Sequence, residues 1–186
     1  TRSGGTGSGY VLASVSADGK MLLWSDANKL RTPLQGFLLS SSLFNMTDKD
    51  GDTPLFVAVH QSTDACVQIL LAHPNINVNT TNKEGQTPLF IAANLGKDTC
   101  VQLLLVHPDV NVNTADKDGH TPLFKAANLG KEACVQMLLA HPDVNVNTAN
   151  KDGVTPLFVA ANRGRETCVQ LLLAHPDIKV NTANKE

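Results

Sequence analysis

The chain has 186 residues, 42% apolar and only 4% aromatic, with a formal net charge of −2. That composition predicts an interior of Ala, Leu and Val, and the charge supplies no basic field, which argues against nucleic acid or an anionic membrane surface as a partner. The longest strongly apolar runs, such as Val101 to Val106, are far too short to cross a bilayer, so the chain reads as soluble.

Residues 1–27 form a Gly/Ser-rich start followed by a hairpin signal. Thr1 to Gly9 cannot bury surface and reads as flexible linker. The first residue is not Met, which points to a piece of a longer chain or a processed one. Tyr10 to Ser16 and Met21 to Ser25 are β-prone runs around Asp18-Gly19, a hairpin pattern. Residues 9–26 also resemble part of a WD-repeat blade, where a Leu-Ala-Ser-x-Ser-x-Asp-Gly segment leads to a strand ending in Trp-Asp. Here Ser25 follows Trp24 and the opening Gly-His is missing. The alternative is an unrelated hairpin. In residues 28–46, Thr32-Pro33-Leu34 precedes Phe37-Leu38-Leu39 and Leu43-Phe44. Thr as N-cap and Pro at the first helical position predict a short helix that covers the apolar face of the first full repeat.

From residue 47 one frame is written four times. Its Gly-x-Thr-Pro-Leu-Phe cores begin at Gly51, Gly85, Gly119 and Gly153, each 34 residues after the last, which is the period of a stacked supersecondary unit. The repeats are residues 47–80, 81–114, 115–148 and 149–182, and 183–186 open a further turn. In each, an Asp/Glu-Gly pair predicts a tight turn, Thr a cap and Pro the start of a first helix. In the third copy Leu123 and Ala126-Ala127 face inward and Gly130 ends the helix. A longer second helix starts near Lys131-Glu132 and is stopped by His141-Pro142. Asp143 to Asn147 then reads as an extended connector. With little chain after the fourth copy, Val169, Leu172 and Leu173 are expected to be uncovered.

Headed by Gly-x-Thr-Pro-Leu and repeated over about 136 residues, this order of helix, turn, helix and return resembles the ankyrin repeat family. The resemblance implies an all-α, ankyrin-type helical solenoid, here with a short N-terminal β-hairpin. Two departures are regular. Phe56, Phe90, Phe124 and Phe158 stand where the family usually has His, which puts its imidazole-to-backbone bonds in doubt and predicts a Phe ladder. His-Pro-Asp-Val-Asn-Val-Asn also adds one residue to the connector, which should bulge locally.

Little reactive chemistry is legible. Cys66, Cys100, Cys134 and Cys168 recur once per repeat, about 10 Å apart for packed helices, whereas a disulfide needs Cα atoms within about 7 Å. They read as small buried hydrophobes, and free thiols point to cytosol or nucleus. The sequons at Asn45 and Asn79 pull weakly the other way. His73, His107, His141 and His175 each stand alone at a helix end, unable to share a zinc ion, and read as C-terminal caps. No phosphate-binding glycine motif, nucleophile triad or paired carboxylate is present, so no catalytic residue, metal or cofactor is expected.

Comparison among the four copies separates framework letters from varying ones. Asp52, Gln86, His120 and Val154 vary at the turn tip. Val57, Ile91, Lys125 and Val159 vary on the first helix, and His60, Asn94, Asn128 and Asn162 with Gln61, Leu95, Leu129 and Arg163 vary at its end. In proteins the chain resembles, tips and first helices line a concave groove that grips partners. Val154, Leu95 and Leu129 are expected to be exposed apolar anchors. The resemblance implies a non-catalytic protein-interaction module, expected as a monomer and without nucleic acid or membrane as partner. The alternatives are a structural spacer within a larger multi-repeat protein and a regulatory arm of an enzyme encoded elsewhere.

Overall fold

The computed structural model describes residues 10–15, 21–25 and 43–180, the first two stretches as backbone. The chain forms two compact units, Thr1–Ser40 and Ser41–Glu186. In the first, β1 (Tyr10–Val15) pairs antiparallel with β2 (Met21–Ser25), Tyr10 opposite Ser25 and Val15 opposite Met21, with a register shift between Leu12 and Ser14. The Gly/Ser start, the Asp18-Gly19 turn, residues 28–42 of the expected cap helix and residues 183–186 lie outside the described residues.

The second unit holds four helix pairs: α1 (Pro54–His60) with α2 (Asp64–Leu71), α3 (Pro88–Leu95) with α4 (Asp98–Leu105), α5 (Pro122–Leu129) with α6 (Glu132–Leu139), and α7 (Pro156–Asn162) with α8 (Glu166–Leu173). Each first helix starts for the reason its sequence gives. The hydroxyls of Thr53, Thr87, Thr121 and Thr155 accept from the amides of Phe56, Phe90, Phe124 and Phe158 at 3.1–3.3 Å, and Pro follows at the first helical position. Gly96, Gly130 and Gly164 follow the first helices with positive φ. Ser62, at φ 59°, takes that place after α1, where a side chain strains the backbone by about 1–2 kcal/mol.

The pairs stack in two rows, α1–α3–α5–α7 and α2–α4–α6–α8, and the first row is the more closely packed. Small side chains allow this, since Ala92, Ala93, Ala126 and Ala127 are wholly buried. A stack closer along one row curves toward that row, which puts the first helices on the concave side. Phe56, Phe90 and Phe124 are buried, but the close aromatic pairs among the described residues are Phe44–His73 and His120–Phe124. These three are therefore separately buried rings and not a ladder of stacked ones.

Several expectations are corrected. The second helices are not longer: they have eight residues against seven or eight for the first. Their His residues bond the turn that follows the helix. The Nδ1 atoms of His73, His107, His141 and His175 accept the backbone N–H two residues on at 3.2–3.3 Å and fix the turn there. The connector is likewise a succession of turns and not extended chain. It anchors itself through buried Val78, Val112 and Val146, and through asparagines that reach the next repeat. Asn79 donates from Nδ2 to Asp109 O at 2.6 Å and accepts at Oδ1 from Asn111 N at 2.8 Å. Asn113 does the same with Asp143 O and Asn145 N, and Asn147 with Asp177 O and Lys179 N.

Leu43–Asn45, at the described end of the expected cap and linker helix, forms a single turn of 3-10 helix. Phe44 sits 34 residues before Val78 and is buried like it, against the His73 ring at 3.5 Å between centroids. Asn45 donates to Asn75 O at 2.7 Å and accepts from Asn77 N at 2.8 Å, the same bridge that its equivalents make. Both sequon asparagines, Asn45 and Asn79, are engaged in this way.

The cysteines hold a polar contact as well as apolar packing. Cys100 Sγ donates to Asp64 Oδ1 at 3.3 Å and Cys134 Sγ to Asp98 Oδ1 at 3.1 Å, each reaching the preceding repeat. Burial first, then these carboxylates, push the thiols up, to about 11 at Cys100 and about 12 at Cys134. At the far end Leu172 is fully buried, contrary to expectation, while Leu173 is exposed. Equivalent Leu70, Leu104 and Leu138 are buried too, so this position faces the inside of its own unit and needs no following repeat.

Gly119 has φ 83°, and an added Cβ would lie 3.0 Å from Lys151 N on the next tip. Gly119→Ala should therefore lower stability by about 2 kcal/mol, read from the urea midpoint; an unchanged midpoint would show that the tips are free to separate. Asn113→Ala should cost about 1–2 kcal/mol and speed hydrogen exchange at the Asn145 amide. The thiolate is the reacting species, so iodoacetamide at about pH 8 should label half-buried Cys66 well before Cys134. Raised thiols keep their proton in the folded chain while unfolded thiols lose theirs. Their contribution to stability is thus intact below about pH 8.5 and declines as pH rises toward about 11 to 12, a loss that alkaline urea titrations would register.

Candidate functional site

The turn tips are built by one device. Asp48, Asn82, Asp116 and Asn150 each use Oδ1 to accept two backbone N–H groups of their own tip, two and four residues on, at 2.8–3.0 Å. Consecutive tips are then joined through the backbone, with Lys83 N to Asp50 O, Lys117 N to Glu84 O and Lys151 N to Asp118 O all at 3.0 Å. The tips therefore form a continuous edge beside the first helices.

That continuity changes the standing of the varying tip residues. Asp52, Gln86, His120 and Val154 are half-buried and not freely projecting, because each directly precedes a buried capping threonine that draws it inward. Gln86 Oε1 lies 3.4 Å from Asn82 Nδ2. His120 is held from both sides, Nδ1 at 3.2 Å from Asp116 Oδ2 and Nε2 at 3.4 Å from Asn150 Nδ2, while its ring rests on Phe124 at 4.5 Å. Burial raises the Asp52 carboxyl above the usual carboxylate range, and Asp48 and Asp50 add to this against the pull of Asn82 and His60. Its Oδ1 is buried without a hydrogen-bond partner among the described residues.

On the first helices, Ile91 and Val159 are buried and belong to the framework, contrary to the expectation for that column. Lys125 is half-buried, its Nζ 5.9 Å from the centroid of the Phe90 ring in the preceding repeat. His60, Gln61, Asn162 and Arg163 are exposed, and Asn94 and Asn128 half-buried. Leu95 and Leu129 are 37% and 40% exposed at the last residue of their helices.

His120, Lys125, Asn128, Val154, Asn162 and Arg163 come together. With Phe124, Asn150, Phe158 and Val159 they line a cleft of about 340 Å³ between α5 and α7. Asp52, His60, Gln61, Gln86, Asn94, Leu95 and Leu129 lie outside it. Phe158 was missed by sequence reasoning, since it repeats a framework letter. Its counterparts are at most 4% exposed, yet Phe158 is 46% exposed. The available signal was its place in the last of the four copies, after which no first helix is among the described residues.

Asp116, Asp118 and His120 offer ligand atoms within 4.8 Å of one another. Asp116 Oδ1 is already occupied by two tip amides and Oδ2 by the imidazole. At two other tips an asparagine makes the same backbone bonds, so the residue serves the turn and needs no charge to do it. No helix among the described residues is long and apolar enough to cross a membrane.

The family model for ankyrin repeats (three copies) matches residues 21–116 and again residues 98–184. The first match begins upstream of the first complete helix pair, in keeping with the connector that Phe44 and Asn45 build ahead of it. No curated protein matches the chain. Stacked helix pairs, capped tips and matches covering most of the sequence make this chain a member of the ankyrin repeat family, whose repeats are generally protein–protein interaction modules and typically non-catalytic.

Proposed function

We propose that the chain is a non-catalytic module that binds another protein through its turn tips and first helices, with the cleft between α5 and α7 as the principal contact. The observation that carries this reading is that His120, Lys125, Asn128, Val154, Asn162 and Arg163, varying positions of two successive repeats, meet in that cleft. An apolar side chain among polar ones, as Val154 is there, is the usual form of an interface anchor. Leu95 and Leu129, with His60, Gln61 and Asn94, extend the same flank toward the N-terminal repeats, and Asp52 and Gln86 continue the tip edge. A rigid repeat stack loses little freedom on binding, so a few anchors suffice for affinity.

A spacer role is the second reading, favoured by the outer side of the last helix pair. Leu157 is half-buried and Phe158, Ala161 and Leu173 are exposed, whereas the equivalent Leu123, Phe124 and Ala127 are buried. A further repeat would cover that surface. Capture experiments separate the two readings. Phe158→Ser with Arg163→Glu should reduce recovery of wild-type partners by about tenfold or more, while Val106→Asp, at a position 79% exposed outside the cleft, should leave it unchanged. Equal capture by all three proteins would favour the spacer.

A further inference from the structure

We infer that the outer faces of the second helices form a two-fold contact with a second copy of this chain. In α4 the positions that reach solvent are Thr99, Gln102, Leu103 and Val106, spaced i, i+3, i+4 and i+7, while Cys100, Val101 and Leu104 are buried on the other side. The stripe is written in all four pairs: Ala or Thr, then Gln, then Ile, Leu or Met, then Ala or Val. Gln68, Gln102, Gln136 and Gln170 are exposed in every copy, and their side chains bond no described residue. No cap, turn or bridge uses them, so the framework does not explain the repeated letter.

Charge decides what fits this face. The chain has 15 Lys and Arg and 17 Asp and Glu, yet in each second helix the charge is confined to the first residue, Asp64, Asp98, Glu132 or Glu166. No Lys, Arg, Asp or Glu follows before the His-Pro stop. A helix without charge on either face has the pattern of an element covered on both sides. A charged peptide or a nucleic acid finds nothing to pair with there. A two-fold axis sets the same face against itself, where like charges would repel. An uncharged stripe avoids that cost, and a glutamine amide, with donor and acceptor on one group, can pair with another glutamine. Equal repeat spacing keeps two antiparallel columns in step, with Gln102 opposite Gln136 of the second copy.

The first helices lie on the concave side, so the second helices bow outward and the contact centres on α4 and α6. Val106, 79% exposed where the other copies have Ala, stands beside that centre. Four helices of eight residues, packed about 10 Å apart, give a strip of about 500 Å² per copy. About 1000 Å² in all is the size of a weak interface, so half-association at about 10–100 µM is expected. A repeat added at either end of the stack would lie beside this face and not over it. None of these positions lines the cleft between α5 and α7, so the contact leaves the cleft open and stands apart from the reading above.

Sedimentation equilibrium from about 1 to 500 µM tests this, and the wild-type chain should pass from monomer to dimer with its midpoint in the stated range. Gln102→Lys with Gln136→Lys, at exposed positions and with folding checked by circular dichroism, should weaken association about tenfold or more. Gln102→Glu with Gln136→Glu should do the same. An equimolar mixture of the two variants should associate again, because the antiparallel arrangement sets each Lys against a Glu. Arg163→Glu, on the first-helix side, should leave the midpoint unchanged. The inference is overturned by a wild-type chain that is monomeric at about 500 µM, by association that neither pair of substitutions weakens, by a mixture that stays monomeric, or by an equal effect of Arg163→Glu.

Discussion

An asparagine side chain that grips the backbone of the next repeat with both ends of its amide holds this stack in register. Asn45, Asn79, Asn113 and Asn147 each make the bridge, and no other side chain supplies donor and acceptor at that reach. A single helix pair has too little core to stand alone, so each unit is stable only through its neighbours. At the neighbouring tips glycine meets the backbone of the next tip closely, and one backbone hydrogen bond joins each tip to the next.

The same arrangement explains which columns vary. Threonine, proline and asparagine are fixed by cap and bridge, while the devices themselves tolerate Ser62 in one glycine place and either Asp or Asn as the tip acceptor. On the inner wall the varying positions are few, and most are polar. Phe158 is the exception, a framework ring 46% exposed where its counterparts are buried. The buried thiols illustrate the opposite case: Cys100 and Cys134 are nucleophilic residue types, but burial beside Asp64 and Asp98 keeps their protons in place.

Much of the fold was legible because the decisive interactions are local. Thr-Pro names a helix start, Gly names the turn after it, and a spacing of 34 residues names the stack. The histidines show where such reading fails. Nothing local distinguishes an imidazole beside a helix dipole from one that accepts the amide two residues on; only the path of the His-Pro turn does. The connector misled for a related reason, because alternating Val and Asn suggest a strand, while the asparagines bond across to another repeat.

By itself, then, the sequence determined the repeat, its caps and turns, the small-residue core and the columns free to vary, since all of these depend on residues near one another in the chain. Only the tertiary structure decided which varying residues meet. Lys125 and Arg163 are 38 positions apart, and Phe158 differs from Phe124 in nothing but its neighbours. Their common cleft and the exposure of that ring arise from how one repeat lies against the next, a relation between distant segments that no local pattern encodes.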